Sequence, residues 1–213
     1  MVLYMGLIKS YREADYLLSF LKAETIVLNK KEKIFEKEQS SEIMGLVLEG
    51  MVYLCAEDES LDRNILQFFR PGDVFSGNAL FNLGSGTGYY ITKTTSKIAF
   101  FTTESLLSYC LNNPQTAGKL ALAMLSSSNR LMIIHNHILQ QKTIRRKLQE
   151  FFRQECAYQR SSRIELPIPF SDLSEYLAVD RTSMMKELGK MKDDGLISGN
   201  NHKLTINFYQ YLR

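Results

Sequence analysis

Residues 71–90 read PGDVFSGNALFNLGSGTGYY and hold five of the chain's 12 glycines. Glycines at fixed offsets can turn backbone N–H groups onto phosphate oxygens, so the stretch is tested first as a nucleotide cradle. Gly84, Gly86 and Gly88 run G-x-G-x-G, the third glycine of the dinucleotide fingerprint would fall on Tyr89, and no Lys-Ser or Lys-Thr follows to hold a terminal phosphate. Neither phosphate fingerprint fits. Pro71-Gly72 suits the centre of a type II turn, because proline presets the first dihedral and glycine accepts the positive φ that follows. Cysteine and histidine offer little more. Cys55, Cys110 and Cys156 lie far apart with no C-x-x-C pair, and His135, His137 and His202 all follow the strand-rich part of the chain. That distribution suggests neither a disulfide framework nor a zinc or iron–sulfur site, and no metal or cofactor is expected.

The second constellation is SDLSEYLAVDRTSMMKELGKMKDDGLISGNNHKLTIN, residues 171–207. Ser171 can cap a short helix with Asp172 and Glu175 in its first turn, where carboxylates favour the positive end of the dipole. Asp180 can cap a second helix whose Met184, Leu188 and Met191 recur at i, i+4 and i+7. Arg181, Thr182, Met185, Lys186 and Lys190 then face outward, Gly195 ends the helix, and LIS, a GNN turn and KLTIN predict a hairpin. Two short helices joined by a tight turn and followed by a two-stranded wing form a helix-turn-helix arrangement, in which the second helix enters the major groove N-terminus first. There Arg181 can pair with guanine O6 and N7, Lys186 can meet a base or a phosphate, and Met185 can touch a thymine methyl. Double-stranded DNA is the partner this stretch implies. The charge balance agrees: residues 142–213 carry 13 Lys/Arg against 9 Asp/Glu, while residues 1–141 carry 13 against 14.

These residues need elements to position them. At 213 residues the chain is long enough for one large domain or two small ones. Lys9, Arg12, Glu13 and Asp15 interrupt the apolar N-terminus before a signal core can form, and no stretch is long and apolar enough to span a bilayer, so a cytoplasmic location is expected. From Ile26 to Phe101 short apolar runs (ETIVLN, KIFEK, IMGLVLEGMVYLC, NILQFF, YYIT, KIAFFT) are cut by turns, which predicts an all-β sandwich or barrel. From about Pro114 apolar residues recur every three or four positions. Ala117, Met124, Leu131 and Ile138 stand seven apart, the spacing of a seam facing a second helix, the alternative being a stripe that packs on the barrel. Thr143 can cap a further helix, TIRRKLQEFFRQECAYQ. The two prolines of IELPIPF bar a helix there.

With those parts in order, the chain resembles the Crp/Fnr family of bacterial transcription regulators over nearly its whole length. The segment DLSEYLAVDRTSMMKELGKMKDDGLI is similar to the family's helix-turn-helix, LVLEGMVYL and FRPGDVF to two landmarks of its effector-binding roll, and the helix between to its dimerisation helix. The resemblance implies an α+β architecture: a double-stranded β-helix (jelly-roll-like) effector domain over 1–112, a dimerisation helix over 113–141 and a winged helix-turn-helix over 142–213. It implies a homodimer on an inverted-repeat promoter site, RNA polymerase as a further partner, and no enzymatic activity. Arg181, Thr182 and Lys186 occupy the family's base-contacting positions, with Ser183 and Met185 completing the DNA-facing set. Thr182 stands where many members have glutamate, so the operator sequence does not transfer.

The resemblance also reaches the glycine-rich stretch. Cyclic-AMP-binding members carry a glutamate for the ribose and an Arg-Ser pair for the cyclic phosphate; here those positions hold Gly77, Thr87 and Gly88. The Thr-Ser pair that meets adenine falls on Leu131 and Met132. A phosphate buried without a cation is costly, so cyclic AMP is not the expected effector. Asn78, Tyr89, Tyr90, Thr92 and Lys93, closed by Leu131 and Met132, suit a small, partly apolar, anionic or phenolic ligand. Two other readings stand beside this one. An effector-sensing module that contacts protein instead of DNA would show no steep salt dependence on a duplex, and a β-barrel metalloenzyme would need strand histidines that are absent before His135.

Overall fold

The computed structural model describes residues 18–34, 42–57, 63–76, 87–115, 117, 132–200 and 202–212. It divides into two compact units, Met1–Leu131 and Met132–Arg213.

Among the described residues the first unit has eight strands: β1 Glu24–Leu28, β2 Lys33–Ile34, β3 Ile43–Glu49, β4 Val52–Glu57, β5 Arg63–Phe69, β6 Val74–Ser76, β7 Thr87–Thr92 and β8 Ser96–Thr102. They form two antiparallel sheets of order β1-β8-β3-β6 and β2-β7-β4-β5. The ladders nest: β1 pairs with β8, β2 with β7, β3 with β6 and β4 with β5. This is the pairing of a long hairpin rolled over on itself, a jelly roll, where the runs of short strands implied only a sandwich or barrel and the family resemblance implied the roll. Both sheets contribute to the interior, which gathers Ile34, Val47, Val52, Leu54, Phe69, Phe75, Tyr90 and Ile98.

Strand alternation decides which residues go there. In β3, Val47 turns into the roll while its neighbour Leu46 joins Leu21, Ala99, Phe101 and Tyr109 on the other face of its sheet. Part of that face is covered by α1, Thr103–Asn112, whose first turn is capped by Thr102 Oγ1 accepting from the Ser105 N–H at 3.1 Å. Gly45 has a packing reason to lack a side chain: a Cβ there would lie 2.4 Å from the ring of Phe75, its cross-strand partner. At Arg70–Asp73 the predicted turn closes, with the Asp73 N–H donating to the Arg70 carbonyl at 2.9 Å and Gly72 at φ +94°.

The second unit begins with helical residues 132–139 and continues through α2 Ile144–Gln159, β9 Arg163–Glu165, α3 Phe170–Tyr176, α4 Arg181–Asp193, β10 Ile197–Asn200, β11 Lys203–Ile206 and a closing 3-10 turn, Asn207–Leu212. Thr143 caps α2 as its sequence implies, its hydroxyl accepting from the Arg146 N–H at 3.2 Å. The core combines Leu148, Phe151, Phe152 and Cys156 of α2 with Leu173 and Tyr176 of α3 and Met184, Leu188 and Met191 of α4.

Three expectations change. The wing has three strands, in the order β10-β11-β9, because Arg163–Glu165, just ahead of the prolines, pairs with Thr205 to Lys203. Helix α3 starts at Phe170 behind Pro169, so Ser171 lies inside its first turn instead of capping it, and its hydroxyl donates to Asp172 Oδ1 at 3.1 Å. Ile138, the last member of the heptad seam, is only 1% exposed within the chain itself, so its side chain is committed to the chain's own packing. Met124 and Leu131 of that seam lie outside the described residues.

Candidate functional site

Helix α4 presents two distinct faces. Met184 and Met191 are fully buried and Leu188 nearly so. Arg181, Thr182, Ser183, Met185, Lys186, Gly189 and Lys190 are all exposed. Met185 stands 43% exposed on this polar face. The helix begins where predicted, because Asp180 Oδ1 accepts from the Ser183 N–H at 2.8 Å. That hydrogen bond is the chief reason the Asp180 carboxyl sits below its ordinary range, with the Ser183 hydroxyl and the Lys186 charge adding to it. The cap thus stays ionised at neutral pH and satisfies an N–H that the helix cannot.

What holds α4 against α3 is a tight turn with Ala178 in the left-handed region at φ +49°. The turn is closed by the Val179 N–H donating to the Ser174 carbonyl at 3.1 Å and by Lys147 Nζ donating to the Leu177 carbonyl at 2.8 Å. An ammonium at the end of α3 meets the negative pole of that helix. Partial burial lowers the Lys147 pKa, so the position is held at a desolvation cost. On the other side, Arg145 donates from Nε to Glu187 Oε1 and from Nη1 to Asp194 Oδ2, the latter at 2.6 Å. These hydrogen bonds, Glu187 foremost, raise the Arg145 pKa. They also pair two carboxylates of the α4 region with a cation of α2, while Arg181, Lys186 and Lys190 stay exposed on the helix.

A third tie comes from the helical residues ahead of α2. His135 stacks on Tyr176 with ring centroids 4.1 Å apart, and its Nε2 lies 2.8 Å from the Tyr176 carbonyl oxygen. Arg145, Lys147, His135 and Tyr176 were not singled out by sequence reasoning. Their partners lie 30 to 49 residues away along the chain, and no local spacing signals such a pair.

The candidate effector residues are more scattered. Gly77, Asn78 and Leu131 lie outside the described residues, and Thr87 is placed by its backbone alone, opposite Glu57. Gly88, Tyr89 and Tyr90 follow it in β7, opposite Ala56, Cys55 and Leu54. The period of two sends the adjacent tyrosines to opposite faces of the sheet. Tyr90 is inside the roll at 1% exposure, 4.8 Å from the Phe75 ring and 5.9 Å from Phe69. Its hydroxyl donates to the Ser76 carbonyl at 2.8 Å, and burial raises its pKa far above the ordinary tyrosine range. Tyr89 is half-buried on the other face, with Lys33 Nζ 4.4 Å from its ring centroid, a cation–π distance. Met132, at 58% exposure, belongs to the second unit. Thus Tyr89 and Tyr90 do not line one surface as a pair. Among the described residues no group of three or more His, Cys, Asp or Glu is arranged to hold a metal ion.

This geometry has counterparts among known proteins. Residues 25–113 match the cyclic nucleotide-binding domain family, and residues 140–213 match the Crp-like helix-turn-helix domain. A variant of CooA from Carboxydothermus hydrogenoformans shares the fold with a TM-score of 0.77 at 16% identity, over 98% of this chain and 96% of that one. A cyclic nucleotide-binding domain containing protein from Listeria monocytogenes gives 0.73 at 15% identity, over 94% and 99%. FixK2 from Bradyrhizobium japonicum gives 0.70 at 21% identity, over 89% and 95%. No curated protein sequence matches the chain. A jelly roll in the cyclic nucleotide-binding family, followed by a capped recognition helix in the Crp-like family, makes this chain a DNA-binding transcription regulator of the Crp/Fnr family.

Proposed function

We propose that two copies of the chain bind an inverted-repeat DNA site, with Arg181, Thr182, Ser183, Met185 and Lys186 of each copy reading one half-site. The observation that carries this is the capped helix α4, with its buried Met184–Leu188–Met191 face and its exposed basic stripe. The chain then divides into an effector roll over 1–112, a dimerisation helix over 113–141 and a DNA-binding domain over 142–213. Met132 and Ile133, 58% and 63% exposed on their helix, supply apolar surface for association between copies. The protein acts in the cytoplasm beside RNA polymerase and performs no catalysis.

The test is the salt dependence of binding to a duplex containing the selected repeat. Each cation that neutralises a phosphate adds about −0.9 to the slope of log K against log salt on B-form DNA. Lys186→Ala is expected to weaken binding to operator and random duplex and to flatten the slope by about 1 per half-site. A flat slope for the wild-type protein would favour a protein-contacting module instead.

The roll responds to a small ligand other than cyclic AMP. Gly77, Thr87 and Gly88 provide no cation for a cyclic phosphate, and of the two tyrosines beside them the half-buried Tyr89 is the one left accessible to a partly apolar, anionic or phenolic compound. The chain has 11 tyrosines and no tryptophan, so tyrosine emission reports occupancy. No saturable change is expected with cyclic AMP; saturation at micromolar concentration would overturn the exclusion.

A further inference from the structure

The glycine at position 189 has no explanation inside the chain. After proline, glycine is the worst helix former, and Gly189 sits in the interior of the 13-residue helix α4. Other described glycines answer a visible need: Gly45 leaves room for the Phe75 ring, and Gly72 adopts a positive φ. Gly189 answers neither. It is absent from the positive-φ glycines, and a Cβ built on it would meet nothing within 4 Å. Its backbone conformation and its packing would both accept alanine, and the helix would gain by it.

Its place on the helix supplies the missing reason. Gly189 is i+7 from Thr182, i+4 from Met185 and i+3 from Lys186, which puts it on the exposed stripe about 10 Å along the axis from Thr182. Lys186, one turn earlier, and Lys190, next in the chain, are both exposed beside it. We propose that Gly189 is a positioning residue: a phosphodiester strand of the bound duplex lies directly against the helix backbone at Gly189, beside the ammonium groups of Lys186 and Lys190. A bare Cα lets the anionic strand approach closer than any side chain would, which sets the depth of the helix in the groove. A phosphate oxygen there can also accept a weak Cα–H contact.

The inference rests on the reading that this stripe faces DNA, and one experiment separates the two. Gly189→Ala and Gly189→Met are compared with Lys186→Ala in thermal melts and in duplex titrations across a salt series. Gly189→Ala is expected to raise the melting temperature of the second unit's transition by about 4–8 °C. The same variant is expected to weaken binding on the order of tenfold, Gly189→Met more, with the salt slope unchanged because no charge is removed. Opposite signs for stability and binding are something a merely structural role cannot produce. If Gly189→Ala is more stable and binds as tightly as the wild type while Lys186→Ala weakens binding, the positioning role is wrong and the stripe reading survives. If Lys186→Ala also binds normally, both fail.

Discussion

Arg181→Ala is expected to collapse discrimination between operator and random duplex by about 5- to 150-fold per half-site, the range expected when one bidentate guanine contact is lost. On the proposed inverted repeat the loss would be counted twice, because each copy would place the same residue in its own half-site. The position justifies the size of the effect. Arg181 is the first residue of α4, directly after the Asp180 cap, and its side chain is exposed at the end that the proposed docking puts into the groove. Among the described residues no hydrogen bond or ion pair is made by its side chain, so the melting temperature should stay where it is. Arg181→Lys sharpens the test: the charge, and with it the salt slope, is kept, whereas the planar fork that matches O6 and N7 is lost. Specificity should fall nearly as far as in the alanine variant while affinity for random DNA holds. Equal discrimination in all three proteins would remove Arg181 from the reading set and leave Thr182, Met185 and Lys186 to carry it.

The ends of these helices were readable because capping is local. Thr143 and Asp180 are followed by helical patterns within a turn, and the structure finds both hydroxyl and carboxylate on the N–H three residues on. The inner face of α4 was readable for the same reason, since a period of 3.6 needs only Met184, Leu188 and Met191 in order. Strands too announced themselves one at a time. Their nesting, β1 with β8 and β4 with β5, did not, because ladder partners up to 76 residues apart leave no mark on local spacing. Ser171 looked like a better cap than Pro169, yet the fixed φ of proline presets the chain for a helix starting at Phe170 and needs no side-chain hydrogen bond to do it. The separation of Tyr89 from Tyr90 could have been seen in YYIT alone, where strand alternation forbids neighbours from sharing a face. The clamps of Arg145 and Lys147 lie at the opposite extreme: as residues they are indistinguishable from any solvated cation of α2, and only the fold brings Glu187, Asp194 and the Leu177 carbonyl to them.

Those clamps orient α4, but it is the core beneath that keeps it folded, and Phe151→Ala tests this. Phe151 is 2% exposed and meets two aromatic neighbours edge-on, Phe152 at 5.9 Å between centroids and Tyr176 at 6.0 Å. Through Tyr176 it supports the same ring on which His135 stacks. Truncation removes a buried ring and leaves a cavity that the flanking helices fill only in part, a loss of about 3–5 kcal/mol. A domain of this size has roughly 5–15 kcal/mol in total, so a large share of the second unit's stability would go. The expected result is DNA binding lost at temperatures where the wild type still binds, together with a melting transition for residues 132–213 that moves down by more than 10 °C. The transition of the jelly roll should stay in place, because Val47, Phe69, Phe75 and Tyr90 form a separate core. Phe151→Leu, which keeps most of the volume, should recover much of the difference. If instead DNA binding persists unchanged in Phe151→Ala up to the wild-type transition, then the α2–α3 core is not what holds the recognition helix in place, and the surface clamps of Arg145 and Lys147 must be doing so alone.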